Sequence, residues 1–389
     1  MKKNLKEKLK NLSIVISSHV SASGPALDLE EYLKDKAKSL LFIGHPFSAK
    51  KGTPSFFRNY EGGYVKKGSA VVGCKLPEGF VYLKEAVYTF LWVLRKKGSV
   101  DLYIGSDNFL AYLGLLLKMV GKVKKVVFYT IDYVPNRFDN KFLNNLYHFF
   151  DRQCVKKADI VWNLSEKIAE ARKELQELVG SNLAEQIVVP VGIWLERTKK
   201  NQRVKREKGR IIFLGHLIEK QGLQLVIDAM VKLSGKFPKA KLIVIGTGPY
   251  ESALKRRVKK NNLQGKVLFL GFIEDHKQVE KELAKSSIAV ATYIPTPENF
   301  TYFTDPGKIK SYLAAGLPVV LTNVPQNAKD LVIKKCGIIT NYASTSIYEK
   351  IAELLSDESK LNRYSKNALE YANNFDWNKI FENALEHSI

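Results

Sequence analysis

Cysteine is scarce in this 389-residue chain: Cys74, Cys154 and Cys336 lie far apart and fit no Cys-x-x-Cys or Cys/His zinc spacing. That excludes a disulfide framework and a structural zinc site, and makes a reducing cytoplasm the simplest compartment. No run of 18 apolar residues is present, so nothing reads as a membrane-spanning helix. The start, MKKNLKEKLKNL, lacks the apolar stretch of a secretion signal. Acidic groups are in deficit, with 39 Asp and Glu against 62 Lys and Arg, for a formal charge of +23. No single tail explains this, since residues 1–200 hold 33 basic and 20 acidic groups, leaving 29 and 19 for the rest. Such a field suits anionic partners: nucleotides, lipid headgroups or nucleic acid. No nucleic-acid recognition motif or stacking platform accompanies it, so that last reading rests on charge alone. With 45% apolar residues the chain can build cores, and its length suggests two or three domains.

Short apolar, β-rich runs near 12–18, 40–44, 70–74, 100–104, 126–131, 159–164 and 187–191 alternate with helical stretches at about 26–38, 83–97, 108–121, 141–156 and 165–180. Continuous apolar strands joined by crossover helices predict a parallel sheet covered on both faces. A polar, basic stretch at 197–209, RTKKNQRVKREKG, reads as a linker. Beyond it the pattern repeats, with strands near 210–214, 241–245, 267–270, 288–293, 318–321 and 337–340. Helices fall near 221–235, 249–260, 275–285, 307–315 and 345–356, and a last helical stretch at 358–388 is interrupted around 373–376. The expectation is α/β: two doubly wound, Rossmann-like parallel-sheet domains facing across a cleft. Ligands bind at the carboxyl ends of the strands in such sheets.

The loops that leave the strands carry the chemistry. Strand 210–214 runs into Gly215-His216-Leu217-Ile218-Glu219-Lys220-Gln221-Gly222, and strand 241–245 into Gly246-Thr247-Gly248-Pro249. Glycines there let a ligand approach the backbone, and amides at a helix start attract phosphate, although a plain βα turn looks the same. Neither loop holds a full Gly-x-Gly-x-x-Gly, which argues against a dinucleotide dehydrogenase. The most informative string is Thr304-Asp305-Pro306-Gly307-Lys308-Ile309-Lys310-Ser311, followed by YLAAGLPVV. Asp305 is expected to N-cap a helix opening at Pro306, leaving the amides of Gly307, Lys308 and Ile309 free for a diphosphate, with Lys308 adding a cation.

These segments (GHLIEKQG, LIVIGTGP, VLFLGFI, DPGKIKSYLAAGLPVV and the ending NNFDWNKIFENAL) resemble retaining glycosyltransferases of the GT-B fold, group 1 or family 4. The resemblance implies an N-terminal acceptor-binding domain at 1–196, a linker at 197–209, a nucleotide-sugar-binding domain at 210–365 and a terminal helix at 366–389 returning to the first domain. It implies that Gly215 and His216 line the diphosphate, that Lys220 substitutes for a phosphate-binding lysine at the place of Gln221, and that Gly246 and Gly248 allow close approach. The backbone around Phe272 and Ile273 would hold the base. Thr304, Asp305, Pro306, Gly307, Lys308 and Ile309 would contact donor sugar and phosphates. Ser311 and Phe303 stand where the family has the two carboxylates of its Glu-x7-Glu motif; a neutral Ser311 hydroxyl binds ribose less strongly than a carboxylate. Asp305 or Glu298 is the remaining source of a carboxylate near the sugar.

In the first half, His19, Ser23 and Gly24 lie in the loop that stands where the family contacts its acceptor, and His45 closes the second strand. Asp132 occupies the Asp of a His-Asp pair that faces the sugar. Each fits an ordinary strand-end hydrogen bond equally well, and His148 is expected to pack on a helix. The reading is a transferase moving sugar from a nucleotide-diphosphate donor to a glycan or lipid-linked acceptor, with Asp132, Lys308 and Asp305 as catalytic candidates. Without an Asp-x-Asp motif, no metal and no further cofactor are implied. The alternative, raised by the missing carboxylates, is a catalytically degenerate binding subunit. Leu5, Leu9 and Leu12 share one face of a basic N-terminal helix, which suggests an anionic membrane surface as partner and a peripheral position on the inner face of the cell membrane.

Overall fold

Apolar runs of four to eight residues make strands here, and the amphipathic stretches between them cross back as helices. A computed structural model describes residues 3–20, 24–46, 54–62, 64–70, 78–180, 182–199, 204–296, 303 and 305–389. The chain divides into two units, Met1–Pro190 with Trp377–Ile389, and Val191–Asp376.

The first unit runs α1 (Lys3–Leu9), β1 (Ser13–Val20), α2 (Pro25–Leu33), β2 (Ser39–Pro46), β3 (Ser55–Glu61), β4 (Tyr64–Ala70), α3 (Glu78–Arg95), β5 (Val100–Gly105), α4 (Asn108–Met119), β6 (Val123–Thr130), α5 (Lys141–Lys157), β7 (Ile160–Asn163), α6 (Glu166–Gln176) and β8 (Glu185–Val188). Its sheet has the order β4-β3-β2-β1-β5-β6-β7-β8. Strands β2, β1, β5, β6, β7 and β8 are parallel, while β3 and β4 add an antiparallel hairpin at one edge. That hairpin departs from the all-parallel expectation. Polar Arg58, Asn59, Lys66 and Lys67 interrupt its apolar pattern, as suits an exposed edge. The strand expected at 70–74 lies outside the described residues except for Ala70, which ends β4. The sheet's centre is continuous apolar sequence, with Ile14–Ile16, Leu40–Ile43 and Val126–Tyr129 all buried.

The second unit follows with α7 (Leu195–Lys199), β9 (Arg210–Leu214), α8 (Leu223–Lys236), β10 (Lys241–Ile245), α9 (Glu251–Lys260), β11 (Val267–Gly271), α10 (His276–Lys285), β12 (Ile288–Ala291), α11 (Gly307–Ala314), β13 (Val319–Leu321), α12 (Ala328–Ile333), β14 (Gly337–Ile339), α13 (Ser344–Ser356) and α14 (Glu358–Ala372). All six strands are parallel in the order β11-β10-β9-β12-β13-β14. Residues 204–209 are tied into this unit: the Arg206 guanidinium donates to Ala315 O (2.8 Å) and the Glu207 amide to Lys285 O (2.8 Å). The helix α15 (Trp377–Ser388) packs in the first unit against α2 and α1, and Trp162 Nε1 donates to Ser388 Oγ (3.1 Å).

This packing corrects the membrane reading of the N-terminus. Helix α1 forms, but Leu5 and Leu9 are buried, so its apolar face is spent on the unit's own core.

Candidate functional site

Doubly wound sheets bind ligands where the strand order reverses, because the loops there diverge and leave a crevice. In the second unit the reversal falls between β9 and β12. Lys308, in the first turn of α11, reaches this point. Its ammonium lies 4.4 Å from the Phe213 ring centre on β9 and 4.8 Å from the Tyr293 ring just after β12. It donates to the Gln221 Oε1 (2.5 Å). No carboxylate pairs with Lys308 among the described residues. Burial between two rings strips its hydration and lowers its pKa to about 7.

Two glycines keep the floor open beside it. Gly215 has φ 146°, and a Cβ there would stand 3.1 Å from the Lys308 Nζ; Gly246 has φ 129°, and its Cβ would fall 2.0 Å from Gly215 O. Any side chain at 246 would push the two loops apart. Gly248 closes the same turn against Leu217, whose amide donates to Thr247 O (2.9 Å). Tyr312, buried, donates no charge but holds the end of β9: its hydroxyl accepts from the Leu214 amide (2.8 Å). Phe213, Tyr293 and Tyr312 were not singled out from sequence. An aromatic at a strand's carboxyl end was the available signal.

Helix α11 differs from expectation in three ways. It begins at Gly307 with Pro306 as N-cap, and no side chain caps it. Asp305 is therefore not the cap: it pairs with buried Lys310, and its Oδ2 accepts from the Val191 amide (3.0 Å). With both oxygens engaged and the residue buried, Asp305 is a structural anchor rather than a carboxylate offered to a sugar. The Ile309 amide is not free either, since it donates to Pro306 O (3.1 Å), and the Ile309 side chain is core. Gly307 and Lys308 remain as the amides at the tip, with Val191 Cγ1 packed 3.1 Å from where a Gly307 Cβ would sit.

The other candidates are spread around this point. His216 and Lys220 are exposed and Gln221 is buried under Lys308. Phe272 is largely exposed after β11, and Ile273 packs on the core. Ser311 Oγ donates weakly to Gly307 O (3.4 Å). Thr304 and Glu298 lie outside the described residues.

In the first unit the strand order reverses between β1 and β5. His19 ends β1, and Asp107 follows β5 as the N-cap of α4, accepting from the Leu110 amide. His19 Nδ1 meets Asp107 Oδ2 at 2.6 Å and Nε2 meets Glu85 Oε2 on α3 at 3.0 Å. Burial opposes a charge on His19, but the two carboxylates outweigh it and raise its pKa to about 10. His45, its register partner on β2, has no exposed surface and bonds Ser55 Oγ and Thr89 Oγ1, each at 2.9 Å. Burial, aided by the His19 charge, lowers the His45 pKa to about 3. That corrects its placement: His45 is interior and cannot face a ligand. Asp132 is half-buried and accepts from Arg137 Nη1 (2.8 Å). His148 bonds Pro135 O (2.8 Å). Gly24 is the N-cap of α2; Ser23 lies outside the described residues.

Comparison with known proteins fits this geometry. Residues 196–371 match the family described as Glycosyl transferases group 1. An uncharacterized glycosyltransferase of Methanocaldococcus jannaschii is 25% identical over 215 residues, 47% of this chain and 50% of that protein. The poly(glycerol-phosphate) alpha-glucosyltransferase of Bacillus subtilis is 23% identical over 183 residues, 46% of this chain and 26% of that protein. The matches thus span half of the first relative's length and about a quarter of the second's. Among solved structures, sucrose-phosphate synthase of Thermosynechococcus elongatus superposes with TM-score 0.71 at 15% identity, covering 97% of this chain and 98% of that one. Anabaena HepE in complex with UDP gives 0.69 at 16%, covering 96% and 99%. An E. coli protein titled trehalose-6-phosphate, bound with UDP-2-fluoro glucose, gives 0.72 at 14%, covering 97% and 99%. The chain therefore has the GT-B fold, and its residues 196–371 match the family model of the group 1 glycosyl transferases.

Proposed function

We propose that the protein transfers a glycosyl group, with retention, from a nucleoside-diphosphate sugar to a hydroxyl of a glycan or lipid-linked acceptor. The observation that carries this is the Lys308 ammonium, set over two aromatic rings at the strand reversal of the second unit and unpaired with any described carboxylate. Such a cation is costly unless an anion arrives to match it. UDP and a UDP-sugar analogue occupy two of the similar structures, which makes UDP-sugars the first donors to test.

In the reaction the bond from the sugar C1 to the diphosphate oxygen breaks and a bond from C1 to the acceptor oxygen forms on the same face. The acceptor proton passes to the departing phosphate. Lys308 and the amides of Gly307 and Lys308 take up the charge that builds on the leaving diphosphate. That role needs no metal. Asp132 is assigned to the acceptor side, where Arg137 fixes its carboxylate.

The test is a thermal-shift screen against UDP-, GDP-, ADP- and dTDP-sugars with EDTA present, followed by release of nucleoside diphosphate from any donor that binds. A donor at a hundred times its Kd stabilises the unit that holds it by about 2.7 kcal/mol. Binding without release, across all donors and acceptor extracts, favours the degenerate subunit. No donor binding at all overturns the transferase reading and leaves a degenerate subunit that binds a partner or a glycan.

A further inference from the structure

Helix α3 carries an apolar stripe that is exposed among the described residues. Phe80, Leu83, Val87, Leu91 and Leu94 recur at intervals of three and four residues and are each 39–59% exposed. Single exposed apolar residues need no explanation, but five on one face form a continuous band about 21 Å long. The opposite face of the helix already packs on the sheet. Glu85, Thr89 and Val93 are buried, and the Trp92 ring lies 5.3 Å from that of Phe57 on β3. The stripe is therefore not the core side of the helix turned outward by mistake; it is a second apolar face.

Charge identifies what covers it. Arg95 and Lys97 extend exposed from the helix end, and Lys84 sits beside Leu83 in the middle. Register places Tyr64 opposite Glu61 and Lys66 opposite Asn59, on the same side of the sheet as Phe57 and hence as α3. Tyr64 is 83% exposed there, at the sheet edge. A second copy of the chain docking across a two-fold axis would bring two cationic faces together, in a protein already at +23. An anionic lipid surface neutralises them while receiving the side chains of the stripe.

We propose that α3, with the β3–β4 edge beside it, is a membrane-docking face that lies in the headgroup layer of an anionic bilayer. The stripe enters the acyl boundary, and Lys66, Lys84, Arg95 and Lys97 meet lipid phosphates. This stands apart from the donor reading, and it differs from the N-terminal helix, whose leucines are already buried.

The full chain is tested by co-sedimentation with phosphatidylcholine vesicles, with and without phosphatidylglycerol. Binding is expected only when the anionic lipid is present and to weaken with salt. The triple variant Leu83→Gln, Val87→Gln, Leu91→Gln is expected to lose at least tenfold in apparent affinity. A separate pair, Arg95→Glu with Lys97→Glu, leaves every apolar contact intact and is expected to lose as much. Melting curves of each variant establish that it is folded. Parent protein that ignores both vesicle types, or folded variants that bind as the parent does, overturns the proposal. So does a parent that sizes as a dimer and a triple variant that sizes as a monomer, since a second copy then covers the stripe. A failure of UDP binding alone strikes the donor reading and leaves this result intact.

Discussion

The two units reverse their strand order in the same way and fill that point in opposite ways. Between β1 and β5 the crevice is closed by His19, clamped by Asp107 and Glu85, one imidazolium against two carboxylates. Between β9 and β12 there are glycines, two aromatic rings and one ammonium whose described partner is the neutral amide of Gln221. A crevice that holds two carboxylates against one cation has nothing to offer an anion. One with a single unmatched cation is preset for one. Two crevices in the same place on one architecture thus differ in the charge they present to a ligand.

The largest effect expected is on the unmatched cation. Lys308→Met keeps the aromatic packing and removes the charge, and should lower kcat/KM for the donor by about a hundredfold or more. UDP binding by calorimetry should fall with it, because the diphosphate is present in both. Unchanged UDP affinity in this variant would erase the contrast between the two crevices.

Next in size is the imidazolium of the first crevice. His19→Gln leaves Glu85, which is 1% exposed, facing a neutral amide. Removing one member of a buried pair costs about 3 kcal/mol, to be read as faster hydrogen exchange in β1 and α4. The direction with pH is fixed by the raised pKa of His19. Its stabilising effect is complete below about 6.5 and is lost as pH rises through about 10. His45, lowered to about 3, should show a neutral ring in NMR spectra across the same range.

The second crevice was far more legible in the sequence than the first. Its parts are local: Gly215, Gly246 and Lys308 sit in loops next to their own strands, so apolar runs and turn glycines were enough to place them. The first depends on distance along the chain, since His19 meets partners 66 and 88 residues away. Nothing in a linear pattern distinguishes a histidine held by two carboxylates from one held by two hydroxyls. Asp305 misled for a related reason. An Asp before Pro-Gly-Lys has the local form of a cap, but Lys310 and the Val191 amide, one of them 114 residues away, compete for it and win. The exposure of α3 was hidden as well: a helix that is apolar on two faces reads as a buried one until its neighbours are known.

A third prediction sharpens the electrostatic side of the comparison. Lys308 titrates near 7 when the crevice is empty, and a bound diphosphate pulls its pKa back up. Above pH 7, binding therefore takes up a proton, and UDP affinity should fall by about tenfold per pH unit until the bound-state pKa is passed. Calorimetry in two buffers of different ionisation enthalpy measures that proton directly. Its absence at pH 8 would mean that the ammonium stays charged without a ligand.

The smallest effect tests whether the second crevice can tolerate the charge it lacks. The sequence resemblance implies that Ser311 stands where the family carries a carboxylate, and its hydroxyl makes only a 3.4 Å contact with Gly307 O. Ser311→Glu adds an acceptor able to take a ribose hydroxyl, and a charged hydrogen bond there is worth about 1 kcal/mol, or roughly fivefold in UDP affinity. Inorganic pyrophosphate, which has no ribose, should gain nothing and lose slightly, because the new carboxylate sits one turn from Lys308 and begins to match it. Equal losses for both ligands would show that the serine preserves the unmatched cation, and that the missing carboxylate is part of how this crevice attracts phosphate.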